Sequence, residues 1–267
     1  MLIGCCTTID RYDALRELGY QAIALAGKDV AAIDCQAFSQ AAEAIKAGPL
    51  VMTSLNAFCP PALHLNGPDT DLRAVRDYTR RLCARAQAMG VQSIGVGSPA
   101  SRSVPEGYPP EQAVAEFGRS LAEICEIAAD DRMEVLLEPL ARLECNCVNT
   151  TLEALELIHQ LKLPNLHLLY DIYHACLMGE PLEWLELAAP EIRCAHISGA
   201  EGGEHTYLSP RCMEPLRPYV QALARSGYQG QLLLEAFSGD PESGPRQSLE
   251  LLRAYMDAPQ GQARGSC

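Results

Sequence analysis

Four residues in the second half of the chain have the types and positions to share one piece of chemistry. The runs Val135-Leu136-Leu137, Leu168-Leu169-Tyr170, Arg193-Cys194-Ala195 and Leu232-Leu233-Leu234 each end on a group that can bind a cation: Glu138, Asp171, His196 and Glu235. An ionised carboxylate closing an apolar run is costly to desolvate unless it is paired or metal-bound, and neighbouring carboxylates repel. A divalent cation removes both difficulties. Oxygen donors with one imidazole suit a hard or borderline ion, Mn²⁺ first and Mg²⁺ or Co²⁺ as alternatives, better than a thiolate-type zinc site. Singly, either glutamate could cap a helix or pair with an arginine, and His196 could be a satisfied core residue. The succession of the four at run ends favours a metal site.

These groups meet only if the runs are strands of one sheet with their carboxyl ends together. The strand candidates are Leu2–Cys6, Ala22–Leu25, Leu50–Leu55, Ser93–Val96, Glu134–Glu138, His167–Asp171, Cys194–Ile197 and Leu232–Glu235. Helical patterns alternate with them: Asp10–Leu18, Cys35–Ala47, Asp71–Met89, Pro110–Ala129, Thr150–Leu161, Pro181–Ala188, Met213–Ser226 and Pro245–Met256. Thr150-Thr151-Leu152-Glu153 has capping-box spacing. Gly19, Gly90 and Gly227 stand where left-handed glycines end helices. Eight strand–helix units predict an α/β fold, a (β/α)8 TIM barrel over 1–256 in a single domain, whose strand ends form one face. The polar stretch 257–267 is expected to be a flexible tail. A doubly wound open sheet is the rival, but Gly4-Cys5-Cys6-Thr7-Thr8 is not a phosphate loop. Strand alternation places Leu136, Leu169, Cys194 and Leu233 inside the barrel, beneath the four donors.

Composition narrows the function classes. The 267 residues are 48% hydrophobic and 21% charged, which excludes a largely disordered or fibrous chain. A formal net charge of −13 argues against a nucleic-acid partner. No apolar run is long enough for a membrane span, and the N-terminus has no basic leader region. Twelve cysteines, none in a C-x-x-C pair, read as reduced core residues of a cytoplasmic protein rather than a disulfide framework. Cys145-x-Cys147 alone does not make a zinc site.

The segments Leu137-Glu138-Pro139, Tyr170-Asp171-x-x-His174, Ala195-His196-Ile197 and Leu234-Glu235 resemble the xylose-isomerase-like barrel superfamily. The branch is that of tagatose/psicose 3-epimerases and hydroxypyruvate isomerase. Gly97-Ser98 and Arg102, after the fourth strand, also resemble it. The resemblance implies one divalent metal on Glu138, Asp171, His196 and Glu235. It implies Glu138 and Glu235 as acid and base across an enediolate, and His174 on a substrate oxygen. Arg102 and His205 are further candidates for substrate contact, each balanced against an ordinary structural role.

Two departures bear on substrate. The branch often has a glutamate where Ala24 stands, and an arginine soon after the strand-seven histidine. Here that stretch is Gly199-Ala200-Glu201-Gly202-Gly203-Glu204-His205, so His205 is the available substitute. The zinc nuclease branch needs extra histidines, but Leu55–Phe58 and Gly95–Gly97 carry none.

The expected activity is isomerisation or epimerisation of a small ketose or related carbonyl compound, with no phosphate-binding cluster in view. The alternatives are an inosose- or dehydroshikimate-type dehydratase, a partner-dependent subunit cleaving carbon-linked sugars, and a non-catalytic sugar-binding barrel. A homo-oligomer stays open. Phe58 and Tyr108 are expected to pack within loops rather than stack on a sugar.

Overall fold

A computed structural model describes residues 1–257. The alternating pattern resolves into eight parallel strands, β1 (Leu2–Thr7), β2 (Ala22–Ala26), β3 (Ser54–Asn56), β4 (Ser93–Val96), β5 (Glu134–Leu137), β6 (Leu166–Asp171), β7 (Ile192–Ile197) and β8 (Gln231–Leu234). They close in sequence order, with β8 pairing β1. Around them lie α1 (Tyr12–Leu18), α2 (Gly27–Ala32), α3 (Cys35–Ala47), α4 (Leu72–Met89), α5 (Pro99–Arg102) and α6 (Pro110–Asp130). The second half adds α7 (Thr151–Leu161), α8 (Ile172–Leu177), α9 (Leu182–Ala188), α10 (Pro210–Arg225) and α11 (Gly244–Asp257).

Local chemistry starts and stops these helices. Asp34 and Asp71 accept hydrogen bonds from first-turn amides of α3 and α4. Thr150 accepts from the Glu153 amide at 3.2 Å, but the Glu153 carboxylate turns to the Asn149 amide, so the capping box is only half formed. Gly19, Gly90 and Gly227 adopt φ of +93°, +82° and +83°, the left-handed geometry expected at the helix-to-strand joins.

The barrel interior is a separate apolar layer of Cys6, Ala22, Ala24, Leu136, Leu169, Cys194 and Leu233. Large residues on one half of the barrel face small ones on the other. A Cβ on Gly4 would stand 2.5 Å from Leu233 Cδ2, and one on Gly95 2.8 Å from Leu169 Cδ1, so neither position has room for a side chain. Ala24 belongs to this layer and is fully buried, which accounts physically for a small residue there.

The structure corrects the sequence reading in three places. β3 is shorter than expected: Val51 makes an isolated bridge to Ala22, and regular pairing begins at Ser54. The short helices α2, α5 and α8 escaped the periodic pattern because each has only four to six residues. Asp257 closes α11 instead of opening a tail, and 258–267 lie outside the described residues. Cys145 and Cys147 are buried free thiols. Among the described residues, no helix is long and apolar enough to cross a membrane.

Candidate active site

The four donors expected from sequence converge. Glu138 follows β5, Asp171 ends β6, His196 lies in β7 and Glu235 follows β8. One ligand atom from each lies within 4.8 Å of the others, and all four residues are buried. The register pairs Asp171 with His196 across β6 and β7.

Their hydrogen bonds are unequal. His196 Nδ1 is 2.9 Å from Glu235 Oε2 and 3.5 Å from Glu138 Oε1. Asn56 Nδ2 donates to Glu235 Oε1 at 2.5 Å. Asp171 Oδ1 accepts from the Tyr173 amide at 2.7 Å and so caps α8. Asp171 Oδ2 and Glu138 Oε1 are buried without any hydrogen-bond partner. Two unpartnered carboxylate oxygens, in a cluster that already holds a third carboxylate and an imidazole, fit a divalent cation bound among them.

The electrostatics follow burial and neighbours. Burial raises the Glu138 pKa, and the Glu235 and Asp171 carboxylates add to the rise. Burial also opposes ionisation of Glu235, but His196, His205 and Asn56 outweigh it and lower its pKa. Burial disfavours a charged His196, yet Glu235 and Cys6 hold its pKa above the ordinary value. Cys6 Sγ lies 4.0 Å from His196 Nε2. Burial pushes this thiol up to about 12, so it stays neutral beside the cluster.

A second polar group borders the first. His174 Nδ1 accepts from the Ala141 amide at 3.2 Å. That bond assigns the ring proton of neutral His174 to Nε2, which lies 3.7 Å from Asp171 Oδ2. His205 Nε2 lies 3.1 Å from Glu144 Oε1, and its Nδ1 is 3.0 Å from Ser198 Oγ. Tyr173 supports the His205 ring with centroids 3.9 Å apart. Burial works against a charged His205, but Glu144, with Asp171 and Glu235, raises its pKa to about 9. Glu144, His174 and His205 are close enough to ligate a metal. The His174 tautomer instead makes Nε2 a donor, and this second group reads as a hydrogen-bonding wall.

These groups line a cavity of about 250 Å³ with Glu138, Glu235 and the exposed Phe237. His205, a candidate for substrate contact, lines this cavity. Arg102 does not. Its fully buried guanidinium donates from Nη2 to the Glu138 carbonyl at 2.6 Å and lies over Phe117. Arg102 ties the end of β4 to the end of β5 and is a positioning residue. Gly97 does related work, because a Cβ there would run into Glu138 Oε2. Phe58 is core, and Tyr108 donates to Glu116, so neither lines the cavity.

Sequence reasoning missed Glu144, Asn56 and Cys6. Glu144 sits in a loop with no period to betray it. Asn56, at the end of β3, could have been found by applying the strand-end rule to neutral polar residues as well.

Residues 12–255 match the family of xylose isomerase-like TIM barrels, and the chain belongs to that family. It is 30% identical over 160 residues to fructoselysine 3-epimerase of Escherichia coli O157:H7, covering 56% of this chain and 57% of the relative. The matched stretch thus spans little more than half of that curated relative. A D-allulose 3-epimerase from Methylomonas sp., solved in complex with D-allulose, superimposes with TM-score 0.80 at 19% identity, covering 96% of this chain and 97% of the other. The IOLI protein, solved with a bound zinc atom, has TM-score 0.75 at 17% identity over 96% of this chain and 98% of its own.

Proposed function

We propose that this chain is a divalent-metal-dependent sugar epimerase or isomerase acting on a ketose or related carbonyl compound. The observation that carries the reading is the pair of buried glutamates, Glu138 and Glu235, which line a cavity and converge with Asp171 and His196. Epimerase activity in the relatives supports it.

Glu138, Asp171, His196 and Glu235 would hold the ion, with Mn²⁺ as first choice. When bound, the ion supplies positive charge that stabilises the anion formed beside a substrate carbonyl. The rest is the work of the chain's own groups. Glu235 takes the proton from the carbon next to the carbonyl, and Glu138 returns one from the opposite face, giving the epimer. The reverse direction exchanges the two roles. Return to the neighbouring carbon, with the matching hydroxyl proton shift, gives aldose–ketose isomerisation. His174 Nε2–H is the donor available to a substrate oxygen at this point. The Glu144–His205 pair offers a carboxylate and an imidazolium to hydroxyls at the wall.

The test is deuterium wash-in. Protein loaded with Mn²⁺ is incubated with a panel of ketoses in D₂O and followed by NMR. Deuterium beside the carbonyl, in an epimer that has lost no water, is expected. Loss of water from the product would move the assignment to a dehydratase. Ligand binding without exchange for any ketose would reduce the barrel to a sugar-binding protein.

A further inference from the structure

The cavity lined by Glu138 and Glu235 has a neighbour. A second compartment of about 370 Å³ opens on the β1–β3 side. Cys6, beside His196, and Asn56, on Glu235, line it. Lys28, Ala57 and Phe237 border both compartments, so the two are lobes of one cleft, with the glutamate pair lining the first lobe.

The lining of the second lobe has a recognisable chemistry. Tyr207, Pro241 and Pro245 supply apolar faces, and Phe237, at 71% exposure, stands at the rim shared by both lobes. Thr7, Thr8 and Asn56 supply hydroxyl and amide groups, and Arg11, Lys28 and Asp29 add two cations and a carboxylate. Flat apolar faces beside hydrogen-bonding groups match a pyranose ring, whose C–H faces pack on rings while its hydroxyls take the polar edge. The first lobe alone falls below the usual range for ligand pockets, roughly 300–1,000 Å³. Together the lobes suit a substrate of two units.

We infer that the substrate is a glycosylated ketose, with the reacting keto sugar over the glutamate pair and a second sugar ring in the lobe between Phe237 and Tyr207. This deepens the proposed function and rests on its placement of the reacting carbons at Glu138 and Glu235. It assigns Thr7, Thr8 and Tyr207 to substrate length rather than to proton transfer.

The experiment compares free fructose with fructose carrying a glucosyl group on its 4- or 6-hydroxyl. Wash-in kinetics and calorimetric binding are both read, in the wild type and in Thr8→Trp. Thr8 is exposed, its side chain caps nothing, and an indole there fills the second lobe from its rim. The wild type is expected to prefer a glycosylated ketose by at least about tenfold in kcat/KM and in affinity, roughly 1.4 kcal/mol. Thr8→Trp should abolish that preference, with the loss in kcat/KM at least about tenfold larger on the glycosylated ketose than on fructose. Equal handling of free and glycosylated ketoses by the wild type, or equal losses for both in Thr8→Trp, overturns the inference. Tight binding of the glycosylated ketose that Thr8→Trp weakens, without deuterium exchange, keeps the second lobe and defeats the epimerase reading. Exchange as fast on fructose as on the larger sugars does the opposite.

Discussion

The two halves of the barrel meet the same cleft with opposite chemistry. The ends of β5 to β8 supply every charged donor: Glu138, Asp171, His196 and Glu235. The corresponding ends of β1, β3 and β4 offer Cys6, Asn56 and Gly97, all neutral and compact. Below this level the same division holds, with Leu136, Leu169 and Leu233 facing Gly4, Ala22, Ala24 and Gly95. The bulky half builds a wall and places charge on it. The small half leaves the room into which that charge can act. An active site of this kind needs the poor half as much as the rich one, because a second row of large side chains would fill the cleft.

The comparison breaks most directly at the glutamates. Glu138→Gln and Glu235→Gln should each cut deuterium wash-in by about 10²–10⁴-fold, the range of general acid–base catalysis, with the circular dichroism spectrum retained. Full activity in either variant removes the acid–base assignment. Next in size is the metal. Saturating Mn²⁺ at about a hundred times its Kd should stabilise the protein against urea by about 2.7 kcal/mol, and a chelator should reverse the gain. Asp171→Asn should abolish this increment. An increment as large in Asp171→Asn as in the wild type would remove Asp171 from the site.

The small half can then be probed for its support of the charged one. Asn56→Ala deprives Glu235 Oε1 of its donor and should weaken metal affinity by about 10–100-fold in a titration. Unchanged affinity would make the two halves independent. The smallest expected effect is Arg102→Met, which leaves the buried Glu138 carbonyl without its donor. It should cost about 1–3 kcal/mol in urea unfolding, with a smaller change in turnover. A variant as stable as the wild type but inactive would return Arg102 to the substrate.

The barrel was legible because its evidence is periodic. Leu136, Leu169, Cys194 and Leu233 stand two residues before their donors, so one alternation placed both the core layer and the cluster above it. The site's remaining parts have no such rule. Glu144 and His205 lie in loops, where spacing says little about direction. Arg102 looked like a loop charge or a substrate clamp because nothing local shows that its guanidinium reaches the Glu138 carbonyl after β5.

The amino-acid sequence by itself determined the order of strands and helices, the inward-facing layer and the four donors at the strand ends. Each depends on side-chain alternation and chain direction, which a sequence carries explicitly. Tertiary structure alone decided that Ala141 sets the His174 tautomer, that Glu144 reaches His205, that Asn56 serves Glu235 from across the barrel, and that the cleft has two lobes. Each of those depends on the distance between groups far apart in the chain, and barrel closure sets that distance.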